Sequence, residues 1–468
     1  MGTDPINHQL DFSSDEMRAM GYRVIDLLVE QMDAARTRPV GHKAKLAEIR
    51  AALREPVPPA GSSFDAVLDQ IQRDVIPNRL NLTHPRFFAF VPGPSNYVSV
   101  LGDALASGLN VFNGSWLGGS AAAAMELQTI DWLRGLCGFP ETAGGLFVSG
   151  GSVANLTALA VARDTKLSGD LRGARVYFSD QTHSSIEKAL RVVGFLPEHI
   201  VKIASDPSFR LPVQALAERI SADKAAGLRP FCVIANGGTT NTGAVDPLID
   251  VAAVARREDL WMHVDGAYGA AAVICERGKR ILEGMEFADS LSLDPHKWLF
   301  QPIECGCILL RDAERLRDAY RILPDYLKDI HRNEQEVNPC DYGIQLTRGF
   351  RALKVWMSVK VFGIDAFRAA VDRGFALAEH TQRCLERMPG WEVVAGANMA
   401  MLSFRYGSED AVQTALMEEM LADGFAILST TILRGRTVLR MCTINPRTTE
   451  ADIEETLARL DAMAKRLA

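Results

Sequence analysis

A lysine with the surroundings of a nucleophile follows an apolar run, in the segment Asp294-Pro295-His296-Lys297-Trp298. An amine in an apolar neighbourhood has its charged form disfavoured, and the neutral amine can attack a carbonyl carbon. A surface lysine after a proline turn is the alternative, but the apolar residues at 298–300 argue against it. We therefore expect Lys297 to be a buried, reactive amine.

A glycine-rich turn, Ser149-Gly150-Gly151-Ser152, joins another apolar run to a helical segment. Glycines permit a close backbone approach, and the free N–H groups at the start of a helix favour an anion. We expect Ser152 to cap this helix. A strand-to-helix turn without a ligand has the same composition. The pattern therefore indicates an anion site only in combination with the other groups.

His183 ends the loop Ser179-Asp180-Gln181-Thr182-His183, and Ser184 with Glu187 fits a capping box at the start of the next helix. A lone loop histidine is more often a surface residue. Here its place after an apolar run matches that of the other groups, which favours a role in the same site.

An acidic residue, Asp265, ends the apolar run 260–264. A buried carboxylate is costly without a cationic or hydrogen-bonding partner, so we expect Asp265 to have one. The small, hydroxyl-rich loop 237–243 follows the preceding run. His263 shares a strand face with Asp265 and could bind a metal with it, but no third ligand stands at suitable spacing, so we expect no metal site.

Seven short apolar runs alternate with helix-length amphipathic segments from about residue 97. Several runs are apolar on both faces, as strands of a mostly parallel sheet covered by helices are. Ligands bind at the carboxyl ends of such strands, which is where the groups described above fall. The runs are 146–148, 176–178, 200–203, 231–235, 260–264, 291–293 and 307–310.

Three parts are expected: a helical arm (1–96), a large α/β domain (97–360) and a small α+β domain (361–468). In the arm, 17–34 and 64–75 have apolar residues at helical spacing. An arm with little core of its own must bury these faces elsewhere, which predicts a homodimer.

The composition excludes several classes of protein. The 468 residues carry a net charge of −7, which argues against nucleic acid and anionic membranes as partners. No apolar run approaches the roughly 20 residues that span a bilayer. Residues 1–10 fit no secretory signal, and Ile6 breaks the acylation pattern that would begin at Gly2. With eight scattered cysteines and no Cys-x-x-Cys pair, we expect reduced thiols and a cytoplasmic protein.

Together, the anion cradle, the histidine, the hydroxyl loop, the buried acid and the buried amine fit one cofactor. Pyridoxal phosphate needs a phosphate anchor, a stacking face for its ring, a carboxylate on the pyridine nitrogen and a lysine for its aldehyde. We therefore expect this cofactor to bind at the strand ends.

The segment Asp265-Gly266-Ala267-Tyr268, followed by the Lys297 segment, resembles the pyridoxal-phosphate-dependent group II decarboxylases, and above all the aromatic L-amino acid decarboxylases. The resemblance covers nearly the whole chain and includes residues 84–90, 179–185 and 348–354. It implies the fold of the type I pyridoxal-phosphate-dependent transferases, and a homodimer with its active site at the subunit interface.

The resemblance also implies roles for individual residues. Lys297 would hold the cofactor, Asp265 would pair with the pyridine nitrogen and His183 would stack on the ring. The residues that would bind the phosphate are Gly151, Ser152, Asp294 and His296. Those that would line the ring are Thr240 and Ala267. Many animal and plant relatives have asparagine where this chain has Asp294, and an acid beside a phosphate is electrostatically unfavourable.

The segment 324–328 resembles the mobile catalytic loop of the family, which makes Tyr326 the proton donor to the substrate carbon once carbon dioxide has left. The related aldehyde synthases have phenylalanine there, so Tyr326 favours simple decarboxylation over an aldehyde-forming side reaction. The polar residues 329–341 are expected to form a lid.

The resemblance assigns seven residues to the substrate side chain: Leu82, Phe90, Gly93, Phe112, Gly114, Ile303 and Thr347, with Phe112 and Gly114 from the partner subunit. Animal enzymes carry a large aromatic residue at the position of Gly114, so we expect a roomier pocket. Plant relatives use glycine at the position of Thr347 for indolic substrates and serine for phenolic ones. Threonine keeps the hydroxyl and adds bulk, which leaves tryptophan, tyrosine, phenylalanine and dopa open.

Three other functions are weighed against this one. A decarboxylase for an acidic or basic amino acid needs a charged partner in the pocket, and the seven positions offer none. An aminotransferase usually binds carboxylates through arginine. A non-enzymatic homologue would be expected to have lost Lys297, Asp265 or His183, and this chain has all three.

Overall fold

The computed structural model describes residues 10–333 and 335–467, so the patterns sought at positions 1–9 lie outside the described residues. The N-terminal arm contains α1 (Ser14–Asp33), α2 (Leu46–Leu53) and α3 (Phe64–Gln70), which continues as a π-helical turn, Ile71–Val75. The two predicted arm helices are found, whereas α2 was not predicted. None of the helices in the described ranges is both long and apolar enough to cross a membrane.

The central sheet has seven strands, one at each predicted apolar run. They are β1 (Gly144–Val148), β2 (Ala174–Ser179), β3 (Ile200–Ile203), β4 (Arg229–Asn236), β5 (Trp261–Asp265), β6 (Ser290–Leu293) and β7 (Gly306–Leu310). Their order is β1-β7-β6-β5-β4-β2-β3. Only β7 runs antiparallel to its neighbours, β1 and β6. The predicted mostly parallel sheet is confirmed.

Helices cover both faces of this sheet. They are α4 (Tyr97–Leu109), α5 (Trp116–Leu136), α6 (Gly151–Leu167), α7 (Ser184–Val192), α8 (Val213–Ala225), α9 (Leu248–Glu258), α10 (Glu276–Ile281), α11 (Glu314–Tyr320) and α12 (Ala352–Phe362). Alternate strand residues enter two separate cores: Phe147 and Tyr177 pack on one face, Leu146 and Val176 on the other. Because the strands are buried on both faces, their sequences are continuous apolar runs.

The C-terminal part has a second sheet, with strands in the order β10-β11-β9-β8, all antiparallel. Its elements are α13 (Ile364–Leu385), β8 (Trp391–Asn398), β9 (Met401–Tyr406), α14 (Asp410–Asp423), β10 (Ser429–Leu433), β11 (Arg436–Cys442) and α15 (Glu450–Leu467). The α+β character predicted for this part is confirmed. The edge strand β10 has only one buried residue, Leu433. The predicted boundary at 360/361 falls near the end of α12, and the three-part division stays a prediction.

A buried ion pair between Glu126 and Arg348 joins α5 to the start of the segment 348–354. The side chains are 3% and 1% exposed, and the Arg348 Nη2 to Glu126 Oε1 distance is 2.6 Å. Arg348 also donates to the carbonyl oxygens of Phe147 and Asn113. Glu126 accepts from the Phe147 N–H and the Asn113 amide. The pair therefore fixes the end of β1, from which the glycine-rich turn begins.

Replacing Glu126 by alanine should leave the Arg348 guanidinium buried and without its anion. Breaking a buried pair in this way costs about 3–5 kcal/mol, so we expect the free energy of unfolding to fall by about that amount in a denaturant titration. Glu141→Ala, at an exposed position just before β1, is the matched control and should change it by less than about 0.5 kcal/mol. Equal stability of the two variants would contradict the role given to the pair.

Candidate active site

A cavity of about 470 Å³ opens at the carboxyl ends of the central strands. All the residues to which the sequence gave a cofactor-binding role line it: Gly151, Ser152, His183, Thr240, Asp265, Ala267, Asp294, His296 and Lys297. The structure thus brings together residues from five separate strand ends. Their individual roles stay predictions.

Asp265 is the last residue of β5 and is buried at 8% exposure. Its Oδ1 accepts hydrogen bonds from the Ala267 N–H (3.2 Å) and the Ser292 hydroxyl (3.1 Å). Its Oδ2 accepts from the Asn155 amide at 3.1 Å. The carboxylate therefore has the partners that its burial requires, and its orientation is fixed.

His263 supports Asp265 through Asn155. Because a carboxylate only accepts, Asn155 turns its NH₂ toward Asp265 and its carbonyl oxygen toward His263 Nε2, at 3.0 Å. That nitrogen must then carry the proton, and Nδ1 accepts from the Ser290 hydroxyl at 2.9 Å. Both ring nitrogens are thus engaged by the protein, so His263 and Asp265 are not a metal pair.

His183 lies at the N-terminus of α7, beside the same network. Its Nδ1 accepts from the Ser185 N–H at 3.2 Å and lies 2.8 Å from the Ser185 hydroxyl, which accepts from Asn155. The atoms packed around the ring lower its pKa by desolvation. The predicted capping box is wrong: His183 itself caps the helix, and Glu187 pairs with Arg191 and Lys202.

The glycine-rich turn packs too closely for side chains. A Cβ on Gly151 would lie 2.7 Å from Ala267 Cβ and 3.0 Å from Asp294 Oδ2. α6 begins at Gly151 with Gly150 as its N-cap and has no side-chain cap, so the capping role predicted for Ser152 is wrong. The first N–H groups of a helix lack partners within it, and here they begin at the cavity wall.

Lys297 and Asp294 form an ion pair in the cavity, with Nζ 2.9 Å from Oδ2. Asp294 is 2% exposed, and its Oδ1 has no hydrogen-bond partner. His296 Nε2 lies 3.7 Å from Oδ2, and burial lowers the pKa of its ring. The sequence predicted apolar surroundings for the lysine, but the structure adds an anion to them.

Apolar packing does close the far side of Lys297, as the sequence predicted. Trp298 is fully buried, and its ring stacks on Tyr268 with centroids 5.5 Å apart. This packing holds the turn that carries the lysine against the C-terminal part, where Phe375 contacts the same indole.

The residues present fit pyridoxal phosphate. The helix N-terminus at Gly150 and Gly151, which carry no side chains, offers N–H donors for a phosphate. Asp265 offers a fixed acceptor for a ring nitrogen, and the Lys297 amine can bond to an aldehyde.

Comparison with known proteins decides the family. The model of the pyridoxal-dependent decarboxylase conserved domain matches residues 47–407. An aromatic-L-amino-acid decarboxylase of Bacillus atrophaeus is 46% identical, with 98% of each chain covered. The chain belongs to the pyridoxal-dependent decarboxylase family. The predicted cofactor is thereby confirmed.

Two plant proteins add to this assignment. Tryptophan decarboxylase 1 of Oryza sativa subsp. japonica is 32% identical over 92% of this chain and 90% of its own. A crystal structure of Oryza sativa TDC with PLP and tryptamine has a TM-score of 0.92 at 29% identity, with both chains fully covered.

The residues predicted for the substrate pocket of this decarboxylase fall into separate groups. Ile303 lines the cofactor cavity, and with Leu82 and Gly93 it also lines a cavity of about 620 Å³ beside the arm. Phe90 is 60% exposed, and Thr347 is also exposed. A Cβ on Gly114 would overlap the Leu346 carbonyl and the Phe112 ring. Within one chain, the room expected at Gly114 is therefore already filled.

Tyr326 lies in a 3₁₀-helical segment, Asp325–His331, and is 79% exposed. It does not line the cavity of its own chain. Residue 334 of the predicted lid lies outside the described residues, and the described parts, 329–333 and 335–341, contain no strand.

The side chains that hydrogen-bond to Asp265 and His183 were missed in the sequence: Asn155, Ser185 and Ser292. Asn155 is the polar residue in the apolar stretch 153–156, and Ser292 stands between two leucines of a buried strand. A polar side chain that the pattern buries needs a partner, and this signal could have identified both.

His263 should make folding depend on pH. Burial lowers its pKa to about 4 from the usual 6.5, so between these values the unfolded chain binds a proton that the folded chain does not. The free energy of unfolding should therefore fall with falling pH, by up to about 1.4 kcal/mol per pH unit from this group. His263→Gln keeps an N–H donor but does not titrate, and its unfolding curves between pH 6.5 and 4 should show a correspondingly shallower dependence. An unchanged slope would mean that His263 is already charged in the folded protein.

Proposed function

We propose that this pyridoxal-dependent decarboxylase converts an aromatic L-amino acid into its amine and carbon dioxide. The observation that carries the proposal is the cavity in which a fixed carboxylate, Asp265, and an amine, Lys297, stand at the carboxyl ends of adjacent strands. The relatives from Bacillus atrophaeus and rice, which match almost end to end, support an aromatic substrate.

Each residue has a proposed task in this reaction. The N–H groups at Gly151 and Ser152 bind the phosphate, and His183 covers the ring. Asp265 would hold a proton on the pyridine nitrogen, and Lys297 would hold the cofactor through its aldehyde. When bound, the cofactor would supply an electron sink for the electron pair released when the carboxylate leaves.

A second copy of the chain is proposed to complete the site. No residue of α1 is buried, and Leu10, Phe12, Met17 and Tyr22 are each more than half exposed. Tyr326 and Phe112 are exposed as well. Pairing of two chains would place these residues of one chain at the open cavity of the other. We also propose that the homodimer works in the cytoplasm, where its free cysteines would stay reduced.

A panel of amino acids tests the substrate. Purified holoenzyme is given tryptophan, tyrosine, phenylalanine, dopa, glutamate and 2,4-diaminobutyrate, and carbon dioxide and amine are measured for each. We expect at least one aromatic amino acid to give carbon dioxide and its amine in equal amounts, and glutamate and 2,4-diaminobutyrate to give neither. Faster turnover of glutamate or diaminobutyrate would overturn the aromatic assignment while leaving the family intact.

Tyr326→Phe should change the product. Without the phenol, the substrate carbon lacks its proton donor, so the yield of amine should fall. Dissolved dioxygen should instead oxidise the decarboxylated substrate and be reduced to hydrogen peroxide, so that the yields of aldehyde, ammonia and hydrogen peroxide rise. Chromatography of the amine and a peroxide assay measure both. Tyr320→Phe, at a half-buried tyrosine whose hydroxyl contacts the Thr157 carbonyl, is the control and should keep the amine as product. An undiminished yield of amine from Tyr326→Phe would contradict the role proposed for that tyrosine.

Asp294→Asn should tighten cofactor binding. The carboxylate places a negative charge beside the proposed phosphate site and pairs with Lys297, and the uncharged amide removes the charge and weakens the pairing. We expect the dissociation constant for pyridoxal phosphate, titrated by fluorescence into apoprotein, to fall by about tenfold, which corresponds to about 1.4 kcal/mol. The exposed Asp312→Asn is the control. Weaker binding would show that the charge of Asp294 helps to hold the cofactor.

A further inference from the structure

A group of three metal-binding side chains lies in the C-terminal part, outside the active site. His380 and Cys384 stand one turn apart on α13, and Glu454 reaches them from α15. The His380 Nε2 atom lies 3.5 Å from Cys384 Sγ and 3.0 Å from Glu454 Oε1. All three donor atoms lie within 4.8 Å of one another.

These distances suit a single tetrahedral ion. With Zn–S bonds of about 2.3 Å and Zn–N and Zn–O bonds of about 2.0–2.1 Å, tetrahedral geometry separates S from N by roughly 3.5 Å and N from O by roughly 3.3 Å. The separations of 3.5 and 3.0 Å are therefore close to those of the bound state. The third separation, between Cys384 Sγ and the Glu454 carboxylate, is at most 4.8 Å, against roughly 3.5 Å in the tetrahedron. A movement of the exposed Glu454 side chain by at most about 1.3 Å would therefore bring the three atoms onto one ion.

A carboxylate also lies near the second nitrogen of the histidine. His380 Nδ1 lies 3.9 Å from Glu450 Oε1, which is longer than a hydrogen bond, and ligating histidines commonly direct this nitrogen to a carboxylate. The His380 side chain is 16% exposed, whereas Glu454 is 59% exposed. The imidazole is thus mostly covered, while one side of the group stays open to an incoming ion and a water ligand.

The ligand types of the group favour a cation that binds sulfur. A divalent ion would offset the repulsion between a thiolate and the Glu454 carboxylate, and its binding would release a proton. Sulfur and imidazole ligands together select Zn²⁺ and similar transition metals over Mg²⁺ or Ca²⁺.

We propose that His380, Cys384 and Glu454 bind one divalent transition-metal ion of the Zn²⁺ type, which ties α15 to α13. The sequence prediction of no metal site concerned only His263 and Asp265. The present group was missed because its members are far apart in the chain: the His-x-x-x-Cys pair fits one helix face, but the third member comes seventy residues later (454 minus 384). The ion would raise the free energy of unfolding, because a ligand that binds only the folded state stabilises that state.

The test uses holoenzyme freed of metal by a chelator. Titration with ZnCl₂ by calorimetry should give one site per chain and a higher midpoint of thermal unfolding. CoCl₂ in place of zinc should produce the near-ultraviolet absorption band of a thiolate bound to cobalt. No stoichiometric zinc binding, or cobalt binding without that band, would overturn the proposal.

Two variants separate this site from other metal-binding groups. Cys384→Ser should abolish the cobalt band and lower zinc affinity at least tenfold, and Glu454→Gln should lower it less. Cys340→Ser, at the other half-buried cysteine, should change neither. Zinc affinity that is the same in Cys384→Ser as in the parent protein would place the ion elsewhere and contradict the proposal. Amino-acid decarboxylation in Cys384→Ser should continue, because these residues do not line the cavity.

Discussion

The hydrogen bonding of one buried carboxylate, that of Asp265, organises the active site. A charge at the end of a covered strand is tolerated only with partners, and the chain supplies them from α6, β6 and its own backbone. Asn155 is the branching point, because it also reaches His263 and, through Ser185, His183. The same bonds that satisfy the acid therefore set the tautomer of one histidine and the position of another.

A second acid, Asp294, sets the charge balance of the cavity. It pairs with Lys297 and has one oxygen without a partner, close to the glycine turn proposed for the phosphate. The lysine thus has an anionic partner, whereas the sequence suggested only apolar neighbours. If the cofactor bonds to Lys297 as proposed, its binding exchanges this ion pair for new contacts, which an asparagine at position 294 would not require.

The strands and the cluster of site residues could be predicted because two-sided burial leaves apolar runs whose ends converge. Local capping could not, since Ser184 and Ser152 fit cap patterns that His183 and Gly150 occupy. The edge strand β10 has a single buried residue and no apolar pattern. The roles of Tyr326 and Phe112 could not be predicted from local sequence patterns, because both side chains are exposed in the single chain and their proposed contacts are with a second chain.

The proposed attachment of the cofactor to Lys297 can be tested directly. Holoenzyme is reduced with borohydride, digested and mapped by mass spectrometry, which fixes the cofactor to the lysine that holds it. The structure predicts the added mass on the peptide that contains Lys297, and its loss in Lys297→Ala. The added mass on another lysine, such as the buried Lys354, would contradict the arrangement of the whole site.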